Sequence, residues 1–131
     1  MACSLWQVCL GVYFIFLRPP LLPEDVRFLG TTLAALRSSM PGLEKWLGHV
    51  FTVMGGFMIG SGLLTGLTVN LGLPGGKKWP WLVLALTGAF TVGMMSLINF
   101  QIGSDFKWIL LVPVLLWILG LAASVTVGRK R

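Results

Sequence analysis

Charge is absent from four long stretches of this chain. Residues 1–17, 50–76, 79–104 and 108–128 contain no Asp, Glu, Lys or Arg. About 20 consecutive apolar residues suffice for a helix to cross the hydrocarbon of a bilayer. In lipid the backbone must satisfy its own hydrogen bonds, so such stretches become helices. The pattern predicts an all-α integral membrane protein, with four transmembrane helices in a compact bundle. The spans are expected near residues 2–17, 48–73, 79–102 and 108–127, and together they form one domain over residues 1–131.

The polar stretches between them punctuate the pattern. Arg18-Pro19-Pro20-Leu21-Leu22-Pro23 cannot continue a helix, because prolines lack the N–H donor and restrict their predecessors. Glu24 to Arg27 can open a short turn with its acids at the positive end. Thr31 or Thr32 can cap a short helix reaching Met40. There Leu33, Leu36 and Met40 fall on one face and Arg37, Ser38 and Ser39 on the other. An amphipathic interfacial helix, or a structured loop, is therefore expected between the first two spans. Pro41-Gly42 starts the second spanning helix near Leu43, and Leu73 to Lys78 is a tight turn. The fourth span contains Pro113, which is expected to kink it. Trp46, Trp79 and Trp81 are placed as interfacial aromatics.

The second span carries its small residues on one side. At 100° per residue, Gly48, Gly55, Gly56, Gly62, Gly66 and Asn70 fall within a face about 120° wide. Gly56 and Gly60, and again Gly62 and Gly66, are four apart. Small residues at that spacing let helices pack closely where no hydrophobic effect drives them together. Gly88, Ser96 and Asn99 make a matching stripe on the third span. Gly55, Gly56, Gly62, Gly66, Gly88 and Ser96 are therefore expected at helix contacts. Asn99, and Gln7 in the first span, are expected to hydrogen-bond between helices, at about 0.6–2 kcal/mol each.

Composition agrees with the pattern. The chain is 56% hydrophobic and 11% charged, far below the roughly 25% charge of soluble domains. Net charge is +6, but the basic residues sit in loops and at the tail, where they meet lipid headgroups or set topology. Nucleic acid is not an expected partner. Lys77, Lys78, Arg129, Lys130 and Arg131 would share one side of the membrane. Arg18, Arg27, Arg37, Lys45 and Lys107 would share the other, diluted by all four acids. The acid-free side is read as cytoplasmic, which puts both termini inside. The first span lacks the charged start and small-residue cleavage site of a signal peptide, and is expected to be retained.

Chemistry is sparse. His49 is the only histidine, so paired-histidine haem and histidine metal clusters are excluded. Cys3 and Cys9 face different sides of a helix and form no redox motif. No acid lies inside a span, as proton-coupled carriers need. Met54, Met58, Met94 and Met95 cluster on the second and third spans. Thioethers can hold soft copper, but flexible filling is their commoner use. No cofactor, metal or catalytic residue is expected. One constellation remains: Arg18, Glu24, Asp25, Arg27, His49, Asn99, Gln101, Asp105 and Lys107 all fall toward the outer boundary. Of these, His49, Asn99, Gln101, Asp105 and Arg27 are the candidate ligand-binding residues.

Four short spans with a proline-rich first loop resemble the small bacterial four-helix membrane proteins of the DoxX-like kind. The likeness is one of architecture and carries no residue. The sequence therefore leads to a non-enzymatic polytopic protein, packed in a homo-oligomer or a larger membrane complex and surrounded by lipid. The alternative is a protein that binds or moves a small amphipathic molecule, a lipid or a quinone. A cavity reaching Asn99 and His49 would favour the alternative over a closed bundle.

Overall fold

The computed structural model describes residues 1–72 and 78–128. The expected turn through residues 73–77 and the basic tail at residues 129–131 lie outside the described residues. Those described are helical throughout, joined by short turns: α1 (Ala2–Phe16), α2 (Pro23–Phe28), α3 (Leu33–Ser39), α4 (Leu43–Leu67), α5 (Lys78–Gly88), α6 (Met94–Gln101) and α7 (Lys107–Gly128). A π turn, Thr68–Gly72, extends α4. Another, Ala89–Gly93, joins α5 to α6 in one continuous helix. Three helices are long and apolar enough to cross a membrane: Leu43–Leu71, Trp79–Gln101 and Lys107–Val125. They indicate a multi-pass membrane protein. The N-terminal helix is apolar but shorter, at 15 residues.

The loop between α1 and α4 folds as its sequence directs. α1 stops where Leu17 and Arg18 both donate their N–H to Tyr13 O, just before the prolines. Pro23 opens α2, and the Asp25 carboxylate accepts the Leu22 N–H at 2.8 Å to close its first turn. Thr32 Oγ1 caps α3 by accepting the Ala35 N–H. Leu36 is buried while Arg37 to Met40 are exposed, so the apolar face of α3 is narrower than expected. Arg37 makes a bidentate contact with Glu44, tying α3 to α4; this hydrogen bond, followed by the charge of Glu44, raises the Arg37 pKa.

α1 packs antiparallel on α4 along a glycine seam. A Cβ at Gly11 would stand 2.6 Å from Gly55 O, and a Cβ at Gly55 would stand 2.6 Å from Gly11 O. One end of the seam continues with Gly62 against Ser4 O and Val8, then Gly66 near Ser4 Oγ. Gly56 does not belong to it. It is exposed, as part of a shallow apolar groove with Val53, Phe57, Gly60 and Leu64, and a Cβ there would meet nothing within 4 Å. The reason is angular: Gly55, Gly62 and Gly66 share a strip about 40° wide, from which Gly56 is rotated by about 80° or more.

α7 packs antiparallel on the α5–α6 helix. Gly88 lies directly against the Trp117 indole, whose Nε1 donates to Leu84 O at 3.0 Å. The α7 helix runs unbroken through a fully buried Pro113. Ser96 is buried, as is Val92 beside it on the π turn. Gln7 of α1 bridges the two helix pairs, donating from Nε2 to Thr91 Oγ1 at 3.2 Å.

Candidate functional site

Between the two helix pairs lies a cavity of about 870 Å³. One wall is α1 from Trp6 to Phe14, another is α4 from Phe51 to Ser61. The loop after α1, α2, the π turn, α6 and the start of α7 supply the rest. Phe51 and Ser61 are ten residues apart, about 15 Å along the α4 axis. That is roughly half of the ~30 Å hydrocarbon thickness, the depth of one leaflet. Phe57 and Phe90 line the cavity yet are each 74% exposed, so they form its rim between α4 and the α5–α6 helix.

The body of the cavity is apolar and adaptable. Leu10, Ile98, Met54, Met58, Met94 and Met95 all line it. The four methionines thus gather around one space, and unbranched thioethers conform to varied apolar shapes. The π turn places Thr91 in this wall, with its hydroxyl donating to Thr87 O at 2.6 Å and accepting from Gln7. π turns inside α-helices recur at functional sites. Among the described residues, two buried polar atoms of the α1 wall, Trp6 Nε1 and Gln7 Oε1, have no hydrogen-bond partner.

The end of the cavity nearest α2 is charged. Arg18, Glu24, Asp25 and Asn99 line it. The Arg18 side chain is only 10% exposed, and its guanidinium lies 3.6 Å from the centre of the Phe51 ring and 5.2 Å from that of Phe14. Burial pulls the Arg18 pKa below its ordinary value, opposed by the charge of Asp25 and, more weakly, of Glu24. Nη1 donates to Pro19 O, whereas Nη2 stands 3.6 Å from Asp25 Oδ2, too far for a hydrogen bond. Glu24 is buried and accepts from Ser104 Oγ at 2.8 Å and from the Asp105 N–H at 3.3 Å. These bonds fasten α2 to the turn before α7, where Gly103 adopts a positive φ of 66°. Arg27 clasps the outside of the same turn through Asp105 at 3.1 Å and Gly103 O at 3.2 Å.

Comparison with protein-family models, curated proteins and solved structures yields no match. The likeness to DoxX-like proteins therefore rests on the layout of spans alone.

The structure separates the five candidate residues read from sequence. Asn99 lines the cavity, but its Nδ2 donates to Met95 O at 2.8 Å within its own helix and not to another helix as expected, because the cavity lies where a neighbour would have to be. Asp105 and Arg27 pair with each other on the surface, outside the cavity lining. Gln101 and His49 are exposed and also lie outside it. His49 is on the order of 150° around α4 from Phe51, Met54, Met58 and Ser61. The cavity thus reaches Asn99 but not His49. Arg18, Glu24 and Asp25 belonged to the outer constellation without being singled out, and Gln7 was placed as a bond between helices. The signal that could have raised Arg18 is its position directly after α1, beneath a loop that prolines force to turn back.

Proposed function

We propose that this is a non-enzymatic, four-span membrane protein whose cavity holds a membrane amphiphile. The apolar part would lie between α1, α4 and the α5–α6 helix, with the polar part at Arg18 and Asp25. The observation that carries this reading is the cavity itself: leaflet-deep, methionine- and aromatic-lined, and, among the described residues, charged at the end nearest α2. Ligand pockets of roughly 300–1,000 Å³ with a few convergent polar groups are the usual size for small-molecule sites. In this reading α1 is the fourth span, held in the bilayer by α4, and both termini are cytoplasmic.

Native mass spectrometry of the detergent-purified protein tests it. Wild type should retain a co-purifying amphiphile, and Met58→Trp or Met95→Trp should release it while remaining helical. Retention unchanged in both filled variants would remove the cavity from the function.

A second reading, a packing component of a homo-oligomer or larger complex, is favoured by one face of α4. Gly56 and Gly60 there line the shallow groove with Val53, Phe57, Ser61 and Leu64. A partner helix could approach it closely. Gly60→Leu should then dissociate the assembly in size-exclusion chromatography without altering amphiphile retention.

A further inference from the structure

We propose that the charged end of the cavity selects a zwitterionic headgroup bearing a phosphate and a primary ammonium, as in phosphatidylethanolamine. The inference rests on the reading that the cavity holds an amphiphile, and it names the headgroup. Three charged residues line this space, Arg18, Glu24 and Asp25, and both Glu24 oxygens already accept from Ser104 and the Asp105 N–H. A purely anionic headgroup would meet Arg18 but also both acids. A purely cationic one would meet the acids but also Arg18. A headgroup carrying both signs can pair its phosphate with Arg18 and its ammonium with Asp25, in the field of both acids.

The hydrogen-bonding capacity left at the site agrees. Among the described residues, Arg18 commits only Nη1 to a hydrogen bond, which leaves Nη2 and Nε as donors for phosphate oxygens. Asp25 accepts the Leu22 N–H through Oδ2, which leaves Oδ1 as an acceptor. Asn99 donates from Nδ2, which leaves its carbonyl oxygen as another. A primary ammonium has three N–H donors for such acceptors. A quaternary ammonium has none and is bound instead on aromatic faces. Here the Phe51 and Phe14 rings already carry Arg18. Choline is therefore the poorer match.

The experiment offers purified protein an equimolar mixture of phosphatidylethanolamine, phosphatidylcholine and phosphatidylglycerol with identical acyl chains. Retained lipid is read by native mass spectrometry. Wild type should retain phosphatidylethanolamine severalfold over each of the others. In Asp25→Asn the amide can still accept the Leu22 N–H and keep α2 capped, and the preference should move toward phosphatidylglycerol. Arg18→Gln should weaken retention of all three. Free phosphoethanolamine, which has the charges without the chains, should not displace the bound lipid. If it does, a soluble phosphoamine and not a lipid is the occupant. Equal retention of the three lipids, or an unchanged ranking in Asp25→Asn, would overturn the headgroup assignment and leave the cavity reading standing. Retention of no lipid at all would instead remove the proposed function. Should Arg18→Gln fail to fold, the wild-type ranking and Asp25→Asn decide alone.

Discussion

Gln7 sits in apolar surroundings with one half of its amide bonded and the other half unbonded. Its Nε2 donates to Thr91, but Oε1 has no partner among the described residues, and the residue is 5% exposed. A buried unsatisfied polar group costs about 1–3 kcal/mol, whereas one hydrogen bond returns about 1. Gln7→Leu removes both and nearly conserves volume. It should leave the melting temperature in detergent unchanged or raised. Gln7→Glu has the same shape but would bury a carboxylate with no cation in described contact, and should destabilise the protein by several kcal/mol unless it protonates. A wild-type melt for Gln7→Glu would mean that water reaches this side chain. The sequence identified Gln7 as polar within a span and its bond to another helix was expected. The unbonded oxygen was not legible, because satisfaction depends on which atoms lie opposite.

At the scale of elements, the glycines of α4 divide into two sets that look alike in sequence. Gly55 and Gly62 touch the α1 backbone, and a methyl group there meets carbonyl oxygens at 2.6 and 2.8 Å. Gly55→Ala or Gly62→Ala should therefore cost about 1–3 kcal/mol through overpacking. Gly66 is more forgiving, since its Cβ would stand 3.4 Å from Ser4 Oγ. Gly56→Ala and Gly60→Ala meet nothing, and should gain up to about 1 kcal/mol of helix propensity in the isolated protein. Thermal unfolding of the four alanine variants checks the division; equal effects at Gly55 and Gly56 would contradict it. Element boundaries were readable because prolines, caps and charge-free runs are local signals. The choice among glycines was not, because a face 120° wide is broader than the strip one helix covers. Gly48 shares the angle of the seam, yet a Cβ there meets nothing, since it lies two turns of α4 from the Gly55 contact and α1 stops at Phe16. Glu24 makes a further test: Glu24→Ala loses bonds to Ser104 and the Asp105 N–H. Hydrogen exchange should then rise in α2 and in residues 103–106, with α4 unaffected. Exchange confined to wild-type levels would mean that Arg27 alone holds α2 in place.

For the molecule as a whole, three crossings by α4, the α5–α6 helix and α7 would place the C-terminus and the turn after α3 on opposite sides. Reporter fusions after Arg131 and after Met40 should give opposite signals, with the C-terminal one cytoplasmic. Identical signals would mean that α4, the α5–α6 helix or α7 does not cross. The membrane character of the chain was legible from its charge-free runs. So was the gathering of Arg18, Glu24, Asp25 and Asn99 at one boundary. The cavity beneath them was not, because empty space arises from how two helix pairs meet and no residue encodes it alone. One further consequence concerns the lipid around the protein. The 15 residues of α1 reach about 22 Å, some 8 Å less than a typical hydrocarbon slab. The glycine seam prevents α1 from shifting along α4 to share the deficit. With α1 as a span, as proposed, the bilayer would thin beside it, which would draw headgroups inward toward Arg18. A lipid entering the cavity would start from this depression, already displaced from its leaflet, so local membrane thickness would itself tune occupancy.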